Sequence, residues 1–158
     1  MMARLERAAS VRFRDIGMPE LAEGDHAPPD AEVETMIASG HVLIAEMADA
    51  PVGFAAMGVA DDVAHLIEID VVPEAGGKGI GRALVEEVCR LAHSRGFSRI
   101  TLSTFRDVAW NAPFYARCGF GEWPRENWGP EHQRMWKRQE KSGLDMSRRL
   151  FMVRELTG

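Results

Sequence analysis

A glycine-rich loop is the part of the chain whose residue types most clearly point to chemistry. Four glycines stand within six positions: Gly76, Gly77, Gly79 and Gly81. The β-branched stretch before them, Ile67 to Val72, ends at Pro73 and is typical of a buried strand. Bare glycine backbone can approach a ligand closely, and the first N–H groups of a following helix favour a phosphate. Residues 67–84 therefore predict a strand, a loop and a helix that bind an anion of nucleotide type.

The loop fits neither of the two common phosphate-binding motifs. A Walker loop needs Ser or Thr after its lysine, but Lys78 is followed by Gly79. The dinucleotide pattern G-x-G-x-x-G also fails, because the residue at its last position is Arg82. A glycine-rich turn without any ligand is the alternative interpretation of the same residues.

Composition narrows the class of protein. The chain has 158 residues, of which 46% are hydrophobic, so we expect one domain, residues 1–158, with a sizeable core. A net charge of −5 argues against a generalised nucleic-acid surface. Cys89 and Cys118 lack metal-ligand spacing, so we expect no metal. No apolar run approaches a membrane span and the start lacks a signal-peptide core, so we expect a cytoplasmic protein without membrane contact.

Hydrophobic periodicity predicts an α/β chain that alternates between helices and strands. Three strands joined by short turns predict an antiparallel meander, and the strand, helix and strand that follow predict a right-handed parallel crossover. Residues 121–143 read mostly as loop with one short helix near 130–139, in which the tryptophans staple the chain. The predicted helices are 4–16, 31–39, 82–95 and 110–120, and the predicted strands are 41–47, 51–59, 63–72, 100–105 and 146–156.

Two segments resemble the GNAT acetyltransferases. Residues 71–84 read V-x-P-x-x-x-G-K-G-I-G-R-A-L, which is similar to motif A of that family, [RQ]-x-x-G-x-[GA]. Gly79 and Gly81 occupy the two small positions, whereas Gly76 stands where Arg or Gln is expected. Residues 111–120 resemble the later segment N-x-x-x-Y-x-x-x-G-F. The order of elements over 30–156 is also similar, although we expect the first family strand to be missing.

The resemblance implies a GNAT-type mixed sheet with helices on both faces, and acetyl-CoA as the acetyl donor. It assigns the cofactor to the backbone of a strand, to the glycine loop with the helix start, and to an asparagine that also suits a helix N-cap. These residues are Ile69, Asp70 and Val71, then Gly77, Lys78, Gly79, Ile80, Gly81 and Arg82, and finally Asn111.

The same resemblance implies two catalytic side chains. Tyr115, the only tyrosine, would protonate the leaving thiolate, although simple packing would also explain it. Glu68 interrupts an apolar strand and would take the proton of the amine, directly or through water; a pairing with a nearby arginine is the alternative. Asp70 shares its face and is the second choice of base. Arg106 and Asp107 are expected to form a surface pair with each other.

The implied activity is transfer of an acetyl group to a primary amine by direct attack in a ternary complex. The acceptor would be a small molecule or a peptide amine. A missing first strand would leave an exposed sheet edge, which makes a homodimer an expectation. A non-catalytic acyl-CoA-binding module is the competing class, because Gly76 departs from the family motif.

Overall fold

The computed structural model describes residues 42–47, 50–72 and 79–157. The predicted helices 4–16 and 31–39 and the question of a first strand lie outside these residues, as do Gly77 and Lys78. The strands that it describes are β1 (Val42–Met47), β2 (Ala50–Ala60), β3 (Val63–Val71), β4 (Arg99–Phe105), β5 (Gly121–Glu122) and β6 (Arg149–Glu155). The described α-helices are α1 (Ile80–Ser94), α2 (Ala112–Arg117) and α3 (Pro130–Lys141).

The six strands form one mixed sheet in the order β1-β2-β3-β4-β6-β5. β1 and β2 are antiparallel, and β3 and β4 are parallel through the pairs Ala64↔Ile100, His65↔Thr101 and Leu66↔Leu102. α1 lies between β3 and β4 in the chain, as a parallel connection requires. The sequence prediction of an α/β mixed sheet with a meander and a βαβ crossover is confirmed.

A two-residue turn joins β2 to β3. Asp61 and Asp62 both have positive φ, 52° and 64°. Two left-handed residues in succession match the right-handed twist of the strands that they join, and aspartate is one of the few residues that tolerate this conformation. The turn conformation therefore sets the direction in which the side chain of Asp61 projects from the hairpin.

The described residues fall into two compact units, one of residues before 58 together with 68–88, and one of 58–67 together with 89–157. In the first unit, Phe54 is fully buried and packs against Val42, Ile44 and Val72. Gly53 lies so close to β3 that a Cβ there would stand 2.8 Å from the carbonyl oxygen of Asp70. Only glycine allows this approach of backbone to backbone.

In the second unit, β4 pairs with β6 over its whole length, from Arg99↔Glu155 to Phe105↔Arg149. Side chains of β4 alternate between the two faces of the sheet. Thr101 bonds to a residue of α3 on one face, and Thr104 bonds to the residue before α2 on the other. Helices on both faces, as predicted, are confirmed here.

The prediction that 121–143 is mostly loop is wrong, but the short helix predicted near 130–139 is present. The segment contains β5, a 3₁₀ turn at Arg125–Asn127 and the twelve-residue helix α3. Few apolar residues mark α3, because it packs on the ring of Phe151 through His132 and Trp136 rather than through aliphatic side chains. The final strand is also shorter than predicted, since Asp145 accepts a hydrogen bond from the N–H of Ser147 and opens a 3₁₀ turn before β6.

The tryptophans of this segment do staple it to the sheet, as the sequence suggested. Trp123 is buried, and the indole N–H of Trp128 donates to its carbonyl oxygen at 3.1 Å. The ring centroid of Trp128 lies 5.0 Å from that of Trp136 and 4.8 Å from that of Phe151 on β6. The contact with Phe151 is edge-to-face, which adds to the stabilisation from burial of the rings.

Candidate active site

Four of the predicted site residues lie in the C-terminal half of β3. Glu68, Ile69, Asp70 and Val71 are all half-buried. Because strand side chains alternate, Glu68 and Asp70 share one face of the sheet. The strand is held from the other side of the hairpin, since the N–H of Val72 donates to the carbonyl oxygen of Val52 at 2.8 Å. The backbone predicted to line a thioester is therefore part of a fixed strand end.

The start of α1 has the form that an anion site needs. Gly79 has a φ of +79°, which glycine adopts without strain. Its carbonyl oxygen accepts from the N–H of Ala83 at 3.0 Å, so the helix begins at Ile80, two residues earlier than predicted. The N–H groups of Ile80, Gly81 and Arg82 precede the first bond of the helix and have no partner within it.

The surroundings of this helix start favour negative charge. The first turn of α1 holds no acidic residue, and Arg82 is exposed there. A Cβ built at Gly79 would meet no atom of the described residues within 4 Å, so this side of the turn is open among them. A helix of fifteen residues directs its positive dipole end to the same place. A phosphate group fits these features.

Tyr115 lies in α2 with only 8% of its surface exposed. Its ring makes edge contacts with Phe114, at 5.1 Å between centroids, and with Phe120, at 5.8 Å. α2 ends two residues later, and the N–H of Phe120 donates back to the carbonyl oxygen of Tyr115 at 3.0 Å. The ring is thus held rigidly by its neighbours, which is what a positioned proton donor requires.

Asn111 occupies the position before α2, but its side chain does not cap the helix as predicted. Its Oδ1 instead accepts from the hydroxyl of Thr104 and from the N–H of Phe105, both at the end of β4. A side-chain carbonyl oxygen can accept two hydrogen bonds, and Oδ1 accepts both of them from the end of β4. The residue therefore joins α2 to β4, and the hydroxyl of Thr104 is the signal that sequence reasoning missed.

Arg106 and Asp107 do not pair with each other, which corrects a further prediction. Arg106 contacts Glu122 at 3.2 Å, and Asp107 contacts Arg148 at 3.0 Å. The hydrogen bonds from Arg148 hold the pKa of Asp107 below its ordinary value. Arg106 therefore pairs with a residue of β5, and Asp107 pairs with the last residue of the 3₁₀ turn before β6.

The predicted site residues therefore form two groups, one in each unit. Glu68, the strand backbone and the start of α1 belong to the first, and Asn111 and Tyr115 to the second. Within each group the local geometry is defined: a fixed strand end with a helix N-terminus, and a packed phenol with an asparagine. The union of these two groups into one site is part of the function proposed below.

Comparison with known proteins decides the family. A model of the acetyltransferase (GNAT) family matches residues 10–120. The chain belongs to the GNAT family. The resemblance of the two segments around Gly79 and Tyr115 is thereby confirmed, and it extends well beyond the motifs themselves.

Individual relatives of this GNAT protein are distant. Over 58 residues it is 31% identical to a glucosamine 6-phosphate N-acetyltransferase of Trypanosoma brucei brucei, and this match covers 37% of each chain. An N-acetylglutamate synthase of Neisseria gonorrhoeae, complexed with coenzyme A and N-acetyl-glutamate, has a similar structure. The TM-score is 0.71 at 20% identity, covering 98% of this chain and 32% of that one.

A GCN5-related N-acetyltransferase of Rhodopseudomonas palustris is also similar, with a TM-score of 0.68 at 24% identity. The similarity covers 98% of this chain and 88% of that one. Identities this low establish the fold. The matched residues span about a third of the length of the trypanosomal and gonococcal relatives and most of the length of the third. None of the helices among the described residues has the length and hydrophobicity needed to cross a bilayer.

Proposed function

We propose that this GNAT protein is an acetyl-CoA-dependent N-acetyltransferase, which transfers the acetyl group to a primary amine of a small-molecule or peptide acceptor. The observation that carries the proposal is the start of α1. A glycine with φ of +79° opens a fifteen-residue helix whose first turn contains no acid. This arrangement suits the pyrophosphate of coenzyme A, and the proposal takes residues 1–158 as a single catalytic domain.

The chain supplies the parts of an acyl transfer. Backbone groups of Ile69, Asp70 and Val71 would align the thioester, and an N–H among them would stabilise negative charge on its carbonyl oxygen. Gly77 to Arg82, with Lys78 among them, would hold the pyrophosphate, and Asn111 would add an amide donor. Acetyl-CoA contributes an activated acetyl group, and we propose no metal.

Two side chains would move protons. The amine must lose a proton to attack, and Glu68, half-buried near the strand end, would receive it directly or through water. Tyr115, whose ring packs against Phe114 and Phe120, would give a proton to the departing thiolate. We further propose that acetyl transfer occurs by direct attack in a ternary complex, in the cytoplasm and without a nucleic-acid or membrane partner.

A titration with acetyl-CoA tests the binding half of the proposal. Gly79→Ala adds a methyl group to the helix start and strains a positive φ, so acetyl-CoA affinity should fall at least tenfold. Gly143→Ala is the matched control, because Gly143 also has positive φ, +94°, and no described atom within 4 Å of its added Cβ. If both variants bind acetyl-CoA as the unchanged protein does, the helix start is not the pyrophosphate site.

Tyr115→Phe tests the catalytic half. The ring and its packing remain, so the affinity for acetyl-CoA should stay within about twofold, whereas the rate of thiol release with a panel of amines should fall about 100-fold. Glu68→Gln should behave similarly, and Glu126→Gln on an exposed turn is its control. Binding of acetyl-CoA without thiol release for any amine in the unchanged protein would favour the acyl-CoA-binding module instead.

A further inference from the structure

A chain of four polar side chains runs through the second unit and includes none of the residues of the proposed reaction. His132 is its centre and is fully buried, with 0% exposure. Its Nδ1 lies 2.7 Å from Oδ2 of Asp61, and its Nε2 lies 2.8 Å from the hydroxyl oxygen of Thr101. The same hydroxyl lies 2.8 Å from Nδ1 of His65. The four side chains come from the β2–β3 turn, α3, β4 and β3.

Asp61 also caps α3 from a distance of about 70 positions in the chain. The residue before the helix, Gly129, has no side chain to do so. The carboxylate of Asp61 accepts from the N–H groups of Glu131, at 3.0 Å, and of His132, at 2.9 Å. These are the second and third residues of the helix, whose N–H groups a capping side chain normally satisfies. The carboxylate therefore fixes both the helix backbone and the imidazole.

The order carboxylate, imidazole and hydroxyl is that of an activated nucleophile, but burial excludes this role. Thr101 has 0% exposure, so its hydroxyl oxygen cannot reach a substrate. The rings of Trp123 and Phe151 close the site around His132, at 4.6 Å and 5.1 Å between centroids. His65, which is hydrogen-bonded to Thr101, has 8% of its surface exposed to solvent.

The protons of this chain can be arranged in two ways. When His132 is neutral, its Nδ1–H donates to Asp61 and its Nε2 accepts from the hydroxyl of Thr101. The hydroxyl oxygen then accepts from Nδ1–H of His65. When His132 is charged, its Nε2–H donates to Thr101, whose proton turns to Nδ1 of His65 at 2.8 Å rather than to the carbonyl oxygen of Ala64 at 3.4 Å.

We propose that Asp61, His132, Thr101 and His65 form a proton relay that charges the buried His132 and thereby tightens the attachment of α3 to the sheet. One proton enters at Nε2 of His65. The Nδ1 proton of His65 passes to Thr101, and the hydroxyl proton of Thr101 passes to Nε2 of His132. The sum is one proton taken up, a positive charge on His132 and a change of tautomer at His65.

The electrostatics around the relay agree with this assignment. Burial, followed by the charge of His132, lowers the pKa of His65 to about 3, so His65 stays neutral and can change only its tautomer. Burial alone would raise the pKa of Asp61, but the N–H groups of Glu131 and His132 and the imidazole lower it. His132 contacts the carboxylate of Asp61, the hydroxyl of Thr101 and the rings of His65, Trp123 and Phe151. The carboxylate of Glu131 faces Asp61, whose N–H donates to it at 3.2 Å.

Nitrogen-15 NMR of labelled histidines tests the relay, because the tautomer and the charge of each ring can be read from its nitrogen shifts. As the pH is lowered, any change of charge at His132 and the change of His65 from Nδ1–H to Nε2–H should occur together. Spectra of His65→Asn and His132→Gln assign the signals. A constant tautomer of His65 while His132 titrates would overturn the relay, as would no change at either ring.

Two further variants separate coupling from coincidence. Thr101→Val keeps the shape of the side chain but lacks the hydroxyl, so the two histidines should no longer change together; retained coupling in this variant would refute the relay. Asp61→Asn removes the charge that stabilises charged His132, so both changes should require a lower pH. Should Thr101→Val not fold, Asp61→Asn decides: an unmoved midpoint, or two separate midpoints, overturns the proposal.

Discussion

Acid should destabilise this protein through His65, and the structure gives the size of the effect. The pKa of His65 is lowered from 6.5 to about 3, first by burial and then by the charge of His132. Below pH 6.5 the unfolded chain binds a proton at this residue that the folded chain does not bind until the pH is near 3. The stabilising contribution is therefore complete above pH 6.5 and is lost progressively as the pH falls towards 3.

The magnitude follows from this difference in proton binding. One proton taken up on unfolding changes the free energy of unfolding by about 1.4 kcal/mol for each pH unit below 6.5. At pH 5 the accumulated loss is about 2 kcal/mol relative to pH 8. With a urea dependence of about 2 kcal/mol per molar, the midpoint of unfolding should move down by about 1 M.

Urea unfolding at a series of pH values, with His65→Asn as the perturbation, measures this loss. Asparagine does not titrate, so the curve of the variant should be flatter by about 2 kcal/mol between pH 8 and pH 5. His93→Asn is the control, since His93 is exposed at the end of α1. Equal pH dependence of the unchanged protein and of His65→Asn would refute the reasoning, because His65 would then bind its proton equally in both states.

Three further substitutions test contacts described above. Gly53→Ala should cost about 1–3 kcal/mol in thermal unfolding, because its Cβ would stand 2.8 Å from a carbonyl oxygen of β3, whereas Gly121→Ala, in open space among the described residues, should cost little. Thr104→Val should cost about 1–2 kcal/mol, since it removes the hydroxyl that donates to Asn111; an unchanged unfolding temperature would contradict that contact. Gly129→Ala should cost about 1 kcal/mol and reduce amide protection at the start of α3, because its Cβ would displace the carboxylate of Asp61.

Local patterns were sufficient to predict the part of the fold around the glycine loop. β3, Gly79 and α1 each have a periodicity or a conformational need that neighbouring residues satisfy. Gly79 is a clear case, because a positive φ at the start of a helix is a property of one residue and its immediate neighbours. α1 begins two residues before its predicted start, because the first residue of a helix depends on which N–H group first finds a partner.

The prediction for Asn111 failed for a different reason. An asparagine before a helix with proline in its first turn is a common N-cap pattern, and the sequence contains nothing local that argues against it. The side-chain oxygen instead bonds to Thr104 and Phe105. Both bonds depend on how β4 ends beside α2, which is tertiary information. A pattern can therefore place a residue correctly at a helix start while misassigning what its side chain does.

The start of helix α3 also depends on a residue that is distant in the sequence. The helix has twelve residues, which is marginal for an isolated helix in water, and its own N-cap position is a glycine. The N–H groups at its start donate to Asp61, which lies in the β2–β3 turn and, like Asp62, has a left-handed backbone conformation. Because the hairpin supplies the cap that the start of the helix lacks, we infer that the hairpin and α3 form cooperatively. The charge of His132 then acts on both at once, because one carboxylate binds the helix backbone and the imidazole.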